Sequence, residues 1–317
     1  MIIANRDVAV SESGQSCYFC AATIWGTMRL RVFFSCIALL VATAFAALAQ
    51  TPGPQGEPRG SLREQLHLVP FGANDILLHT IVYRPKGDGP FPLVIINHGS
   101  PRSAADRSNF TARYSSASAW FVERGFAVAV PTRRGYGPTG GAWAEAYGRC
   151  DSPDYYSGGV ATAQDIRASV LYMGEQPFVD AGRIVLVGQS AGGWGVLASA
   201  GQKVAGVVAI VNFAGGRGSR GPDDVCASYA LVQAAQRFGA GADLPVLSIY
   251  AANDSFFNPA LARQMHDAFV AGGASRARLL QLSAFSQEGH WLFSHRDGPD
   301  FWGEHVEAFL RETVPAR

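Results

Sequence analysis

A mostly parallel α/β fold, its sheet covered by helices on both faces, is what this sequence predicts, and three observations carry it. Short β-branched apolar runs alternate with Ala-rich amphipathic stretches, the pattern of βαβ units. Most of those runs are nearly continuous Val, Ile, Leu and Ala, as strands buried on both faces are. With 317 residues, 48% hydrophobic and 16% charged, the chain can bury a sizeable core and is too apolar for disorder.

The elements follow in chain order. Runs 63–70 and 76–83 alternate in polarity around Gly72-Ala73-Asn74-Asp75 and predict an antiparallel hairpin at one sheet edge. Buried strands are expected at 92–97, 127–131, 183–187, 204–212, 245–250 and 277–282, making an eight-stranded sheet with the hairpin. Helical spacing falls at 109–124, 161–175, 192–201, 259–272 and 301–314. Segment 215–241 looks like an insertion that forms a short cap or rim, and neither a repeat nor a second domain is visible.

The amino-terminal part reads differently. Met28-Arg29-Leu30-Arg31 precedes an apolar run at 32–45 and then Ala47-Leu48-Ala49, which predicts a signal peptide at 28–49 cleaved near Gln50. A membrane anchor is the alternative, but 32–49 is short for a bilayer and nothing basic follows it, so no stable membrane insertion is expected after cleavage. Residues 1–27 read as an over-extended start, and the Pro- and Gly-rich stretch 50–61 as a flexible leader to a domain at 62–317. A secreted or periplasmic protein is the expectation. There Cys150 and Cys226 can pair, although two separate buried thiols fit the sequence equally well.

The net charge of +1 and the lack of a Lys/Arg block argue against nucleic acid as a partner, leaving a small neutral or mixed substrate. The chemistry gathers at strand ends. The run Arg183-Ile184-Val185-Leu186-Val187 leads into Gly188-Gln189-Ser190-Ala191-Gly192 and a small-residue helix, the setting of a nucleophile on a strained strand-turn-helix. A serine hydroxyl needs a base, and the base an orienting acid. Asp254 follows strand 245–250 and His290 follows strand 277–282, so nucleophile, acid and base come in the order Ser190, Asp254, His290. Asp223, Asp224 and Asp243 are weaker candidates for the acid, and His295 is the competitor of His290, while His266 and His305 fall on helical patterns.

The oxyanion of an acyl-transfer intermediate needs donors. The backbone N–H groups of Ala191 and Ser100 are the candidates, the latter in the loop His98-Gly99-Ser100-Pro101, where His98 reads as structural. Arg133 and Arg134 either line the cleft or pair with Asp151 or Asp154. Trp143, Tyr147, Tyr155, Tyr156, Phe256 and Phe257 either form an apolar pocket or pack over the core. No metal-ligand spacing is present, and the chemistry requires no cofactor.

With His98-Gly99, Arg134-Gly135-Tyr136-Gly137, Gly188-Gln189-Ser190-Ala191-Gly192, Asn253-Asp254 and Gly289-His290, residues 62–314 resemble the α/β-hydrolase fold, in its dienelactone-hydrolase and prolyl-oligopeptidase-like branch. The resemblance implies Ser190 as nucleophile, Asp254 as acid, His290 as base, and Ser100 and Ala191 as oxyanion donors. It implies an acyl-enzyme hydrolase of small acyl substrates, with esters first and peptides or amides second. Dienelactone hydrolases proper carry a Cys nucleophile, which this chain lacks. A binding protein on the same scaffold is the reading from a different class, and the intact Ser190, Asp254 and His290 speak against it.

Overall fold

The computed structural model describes residues 50–72 and 76–316. The over-extended start and signal peptide expected at 1–49, and residues 73–75 of the expected hairpin turn, lie outside the described residues.

One nine-stranded sheet organises the domain, in the order β1-β2-β3-β5-β4-β6-β7-β10-β11. Its strands are β1 (Gly53–Arg59), β2 (Glu64–Pro70), β3 (Leu77–Tyr83), β4 (Phe91–Asn97), β5 (Ala127–Pro131), β6 (Val179–Gln189), β7 (Val207–Phe213), β10 (Val246–Ala251) and β11 (Ala277–Leu282). The pairings from β1 through β2 and β3 to β5 are antiparallel, and all those from β5 onward are parallel. A separate two-stranded ribbon joins β8 (Ser219–Gly221) to β9 (Asp224–Val225).

Helices cover both faces because the buried strands are apolar on both sides. Along β4, Leu93 and Ile95 face one hydrophobic cluster while Val94 and Ile96 face the other; on β6, Ile184 and Leu186 oppose Val185 and Val187. The first cluster is closed by α3 (Tyr155–Gly174), α4 (Ala191–Ser199), α5 (Ser228–Gly239) and α6 (Pro259–Ala271). The second is closed by α2 (Ser115–Glu123) and α7 (Gly298–Thr313), where Trp120, Phe121 and Trp302 pack ring against ring. The short α1 (Ala104–Ser108) sits in the loop after β4.

The structure departs from the sequence reading at three places. The segment read as a flexible leader is largely a strand, β1, paired with β2 at the sheet edge. Gly53 and Gly56 take positive φ there, and backbone pairing outweighs a composition poor in β-formers. The helix expected at 109–124 is shorter: α2 covers Ser115–Glu123, behind a loop ending at Tyr114 in the left-handed region (φ 49°), and α1 lies before the expected span. Segment 215–241 supplies a helix of the sheet layer, α5, whose Leu231, Ala235 and Phe238 join the first cluster; only the β8–β9 ribbon remains as rim.

His67 on β2 is 1% exposed, with Nδ1 at 3.0 Å from the Tyr172 hydroxyl and Nε2 without a partner among the described residues. Burial, with Arg84 adding repulsion, pushes its pKa down from 6.5 to about 4. Between those values the unfolded chain binds a proton that the fold refuses, so the stability present above about pH 6.5 is lost as the pH falls toward 4. Thermal melts should show Tm falling across that window, less steeply in His67→Gln; identical slopes would contradict the account.

Candidate active site

Ser190 sits between β6 and α4 at φ 55°, ψ −120°, a conformation that costs a non-glycine residue of order 1–3 kcal/mol and that the surroundings must impose. They do so from both sides. The Ser190 N–H donates to the Phe213 carbonyl on β7 at 3.0 Å, and the Ser190 carbonyl accepts from Trp194 (2.9 Å) and Gly216 (3.2 Å). The turn closes only because its neighbours lack side chains: a Cβ at Gly188 would strike the Gly192 backbone, and one at Gly192 the Asn97 carbonyl.

Asp254 and His290, the candidates for acid and base, meet in the fold. Asp254, just beyond β10, accepts through Oδ1 from the backbone N–H groups of Phe256 (2.8 Å) and Phe257 (3.0 Å) and presents Oδ2 to His290 Nδ1 at 3.2 Å. Both side chains are buried. His290 lies in a single 3₁₀ turn, Gly289–Trp291, and stacks on Phe256 with ring centroids 4.0 Å apart. Any side chain at Gly289 would meet Asn253 Oδ1, Ala251 Cβ and the Asp254 nitrogen within 2.6–2.8 Å, so glycine is required there. The competitors lie elsewhere: His295 is exposed beside Asp297, Asp224 pairs with Arg220, Asp223 accepts from Asn258, and Asp243 faces Lys203.

Three residues that sequence reasoning gave no role hold this arrangement. Gln189 donates from Nε2 to the His290 carbonyl (2.9 Å) and Ser294 Oγ (3.2 Å), tying the Ser190 turn to the His290 loop. Glu288 accepts from the Ser255 N–H (3.1 Å) and hydroxyl (2.5 Å) and from the His290 N–H (2.9 Å), tying that loop to the Asp254 loop. Asn253 accepts from the Phe285 N–H at 2.8 Å. Their signal was adjacency to a catalytic candidate in the sequence.

The loop after β4 reaches the same point. His98 is fully buried; Nε2 accepts the Arg133 N–H at 3.1 Å, so the ring proton sits on Nδ1, 2.6 Å from the Gly99 carbonyl. Burial first, and Arg133 next, hold its pKa well below the usual histidine range and keep it neutral, in keeping with the structural role read from the sequence. An ideal Cβ at Gly99 would stand 3.3 Å from Ser190 Cβ, and Ser100 Oγ lies 2.8 Å from the Tyr136 hydroxyl. Among the described residues no protein acceptor takes the N–H of Ser100 or of Ala191.

Beneath this loop lies a buried charge cluster. Arg133 pairs through Nε with Glu145 Oε1 and donates from Nη1 to the His98 carbonyl at 2.7 Å. Arg217 pairs with Glu145 Oε2, which also lies 2.9 Å from the Tyr136 hydroxyl. Burial alone would raise the Glu145 pKa, but Arg133 and Arg217 hold the carboxyl well below its ordinary range. Neither expected partner of the two arginines is used. Arg134 pairs with Asp165 at 2.6 Å, whereas Asp151 is exposed with Arg149 and Asp154 caps α3. Arg133 turns inward under the loop, against His98 and the buried Glu145, while Arg134 lies against α3 and the buried Asp165.

Ser100, Ser190, Ala191 and His290 line one cavity of about 640 Å³. Of the aromatic residues considered from the sequence, Trp143, Tyr147, Phe256 and Phe257 line it. Tyr155 is buried against the Cys226 carbonyl and Tyr156 stacks on Phe238, so these two are packing. Cys150 and Cys226 are joined in a disulfide, with Cα atoms 5.3 Å apart.

The structural comparisons decide the family of folds. An esterase from Pyrococcus furiosus superposes with a TM-score of 0.58 at 14% identity, covering 84% of this chain and 100% of that one. The chain is an α/β-hydrolase by fold. A Klebsiella pneumoniae protein described as a dienelactone hydrolase matches with TM-score 0.52 at 16% identity, over 78% of this chain and 97% of its own. Dipeptidyl peptidase 4 from Porphyromonas gingivalis matches with TM-score 0.56 at 15% identity, over 80% of this chain but 36% of its own. Residues 112–212 of this α/β-hydrolase match the prolyl oligopeptidase family. No curated protein sequence is significantly similar to it.

Proposed function

We propose that this protein is a serine hydrolase that cleaves carboxylic esters of small acyl substrates through an acyl-enzyme. The observation that carries the reading is the strained Ser190 on the same cavity as a His290 whose Nδ1 is held by the buried Asp254. Asp254 fixes the Nδ1–H tautomer, which leaves Nε2 free to accept the Ser190 proton as Oγ attacks the ester carbonyl. The N–H groups of Ala191 and Ser100 receive the oxyanion. The imidazolium then protonates the departing alcohol, and water attacks the acyl-Ser190 ester by the reverse sequence. A peptidase or amidase is the second reading, favoured by the prolyl oligopeptidase match over residues 112–212. The protein is further read as exported, since a disulfide such as Cys150–Cys226 persists in an oxidising compartment.

A fluorophosphonate probe tests the reading. Native protein should label at one site and Ser190→Ala should not; an unlabelled native protein, or equal labelling of the variant, sinks it. Turnover of p-nitrophenyl acyl esters against aminoacyl nitroanilides separates the two substrate classes.

A further inference from the structure

The wall of the catalytic cavity carries arginines and no carboxylate. Among the described residues Arg102, Arg107, Arg113, Arg217 and Arg296 line it, and no Asp or Glu does. Three are neutralised from outside the cavity: Arg113 by Glu64 at 2.9 Å, Arg217 by Glu145, and Arg296 by Asp297 at 3.2 Å. Arg102 and Arg107 have no carboxylate partner among the described residues. Their hydrogen bonds and ring contacts orient them without cancelling their charge.

Arg102 donates from Nε to the Ser219 carbonyl (3.1 Å) and from Nη2 to Ser219 Oγ (2.9 Å), and its guanidinium lies over the Phe256 ring at 4.3 Å. Phe256 is the ring stacked on His290, so this cation stands one aromatic ring away from the base. Arg107 donates from Nη1 to the carbonyls of Pro101 (3.3 Å) and Arg102 (3.1 Å) and lies over the Trp143 ring at 3.8 Å. A guanidinium has five N–H donors. Nη1 of Arg102, and Nε and Nη2 of Arg107, have no protein acceptor among the described residues, while both side chains are held in place on the cavity wall.

Two oriented cations with open donors and no counter-charge match a planar anion. We infer that the natural substrate is an ester bearing a carboxylate, received by Arg102 and Arg107 while its carbonyl lies at Ser190. This rests on the hydrolase reading and names its substrate class. It also replaces the neutral or mixed substrate suggested by the net charge of +1, which says nothing about how charge is distributed around a cavity.

Matched ester pairs test it at low ionic strength: p-nitrophenyl valerate against the mono-p-nitrophenyl ester of glutaric acid, and phenyl acetate against 4-acetoxybenzoate. In at least one pair kcat/KM should be roughly tenfold higher for the anionic member and should converge on the neutral one as salt is added. The responding pair assigns the carboxylate to the acyl or the alcohol half. The anionic-to-neutral ratio should fall about fivefold or more in the double variant Arg102→Gln, Arg107→Gln. Equal or lower turnover of the anionic member in both pairs, or a preference that survives the double variant, overturns the inference while the fluorophosphonate-labelled hydrolase stands. Absence of both labelling and turnover overturns both.

Discussion

Asp254→Asn is expected to lower kcat for ester hydrolysis by about 10⁴-fold while leaving the fold intact. The reason is the way the two carboxylate oxygens divide their work. Oδ1 accepts two backbone N–H groups, from Phe256 and Phe257, so an asparagine must keep its carbonyl oxygen there. Its NH₂ group then faces His290 Nδ1, which is forced to accept, and the ring proton moves to Nε2, where it blocks uptake of the Ser190 proton. Steady-state assays of the variant measure this directly. A loss smaller than tenfold would remove Asp254 from the mechanism.

The second large effect is on stability. Glu145→Gln leaves Arg133 and Arg217, 0% and 2% exposed, without a counter-charge, and breaking a buried pair from one side costs about 3–5 kcal/mol. At roughly 2–4 °C per kcal/mol for a domain of this size, Tm should fall by about 10 °C. Glu64→Gln is the control: its pair with Arg113 is exposed on both sides and is worth about 1 kcal/mol at most. Calorimetry of the two variants tests the contrast, and similar Tm values would deny the cluster its role under the loop that carries Ser100.

What was legible in the sequence was local. The parallel strands announce themselves by apolar runs, Ser190 and Asp254 closely follow two of them and His290 stands in the loop after a third, so both the sheet and the order of these residues could be read off short windows. Segment 53–59 was misread because its Pro and Gly content resembles a linker, whereas its pairing is supplied by β2 rather than by its own side chains. The helix Ser228–Gly239 was hidden because Ala227 at its start makes no side-chain cap and Gly- and Asp-rich sequence precedes it. The partners of Arg133 were sought among acids nearby in loop 149–154. The fold instead selected Glu145 and then Arg217, 72 positions further along, which no window could have paired. The cationic wall was equally invisible, since its arginines are scattered from 102 to 296 and converge only in three dimensions.

The Cys150–Cys226 disulfide has a consequence for how this site exchanges its contents. It closes a stretch of 76 residues and ties the segment carrying Trp143 and Tyr147 to the one carrying Arg217, Gly218 and Ser219. That side of the cavity is therefore braced against swinging aside as a hinged lid, covalently by the disulfide and electrostatically by the buried Arg217–Glu145 pair.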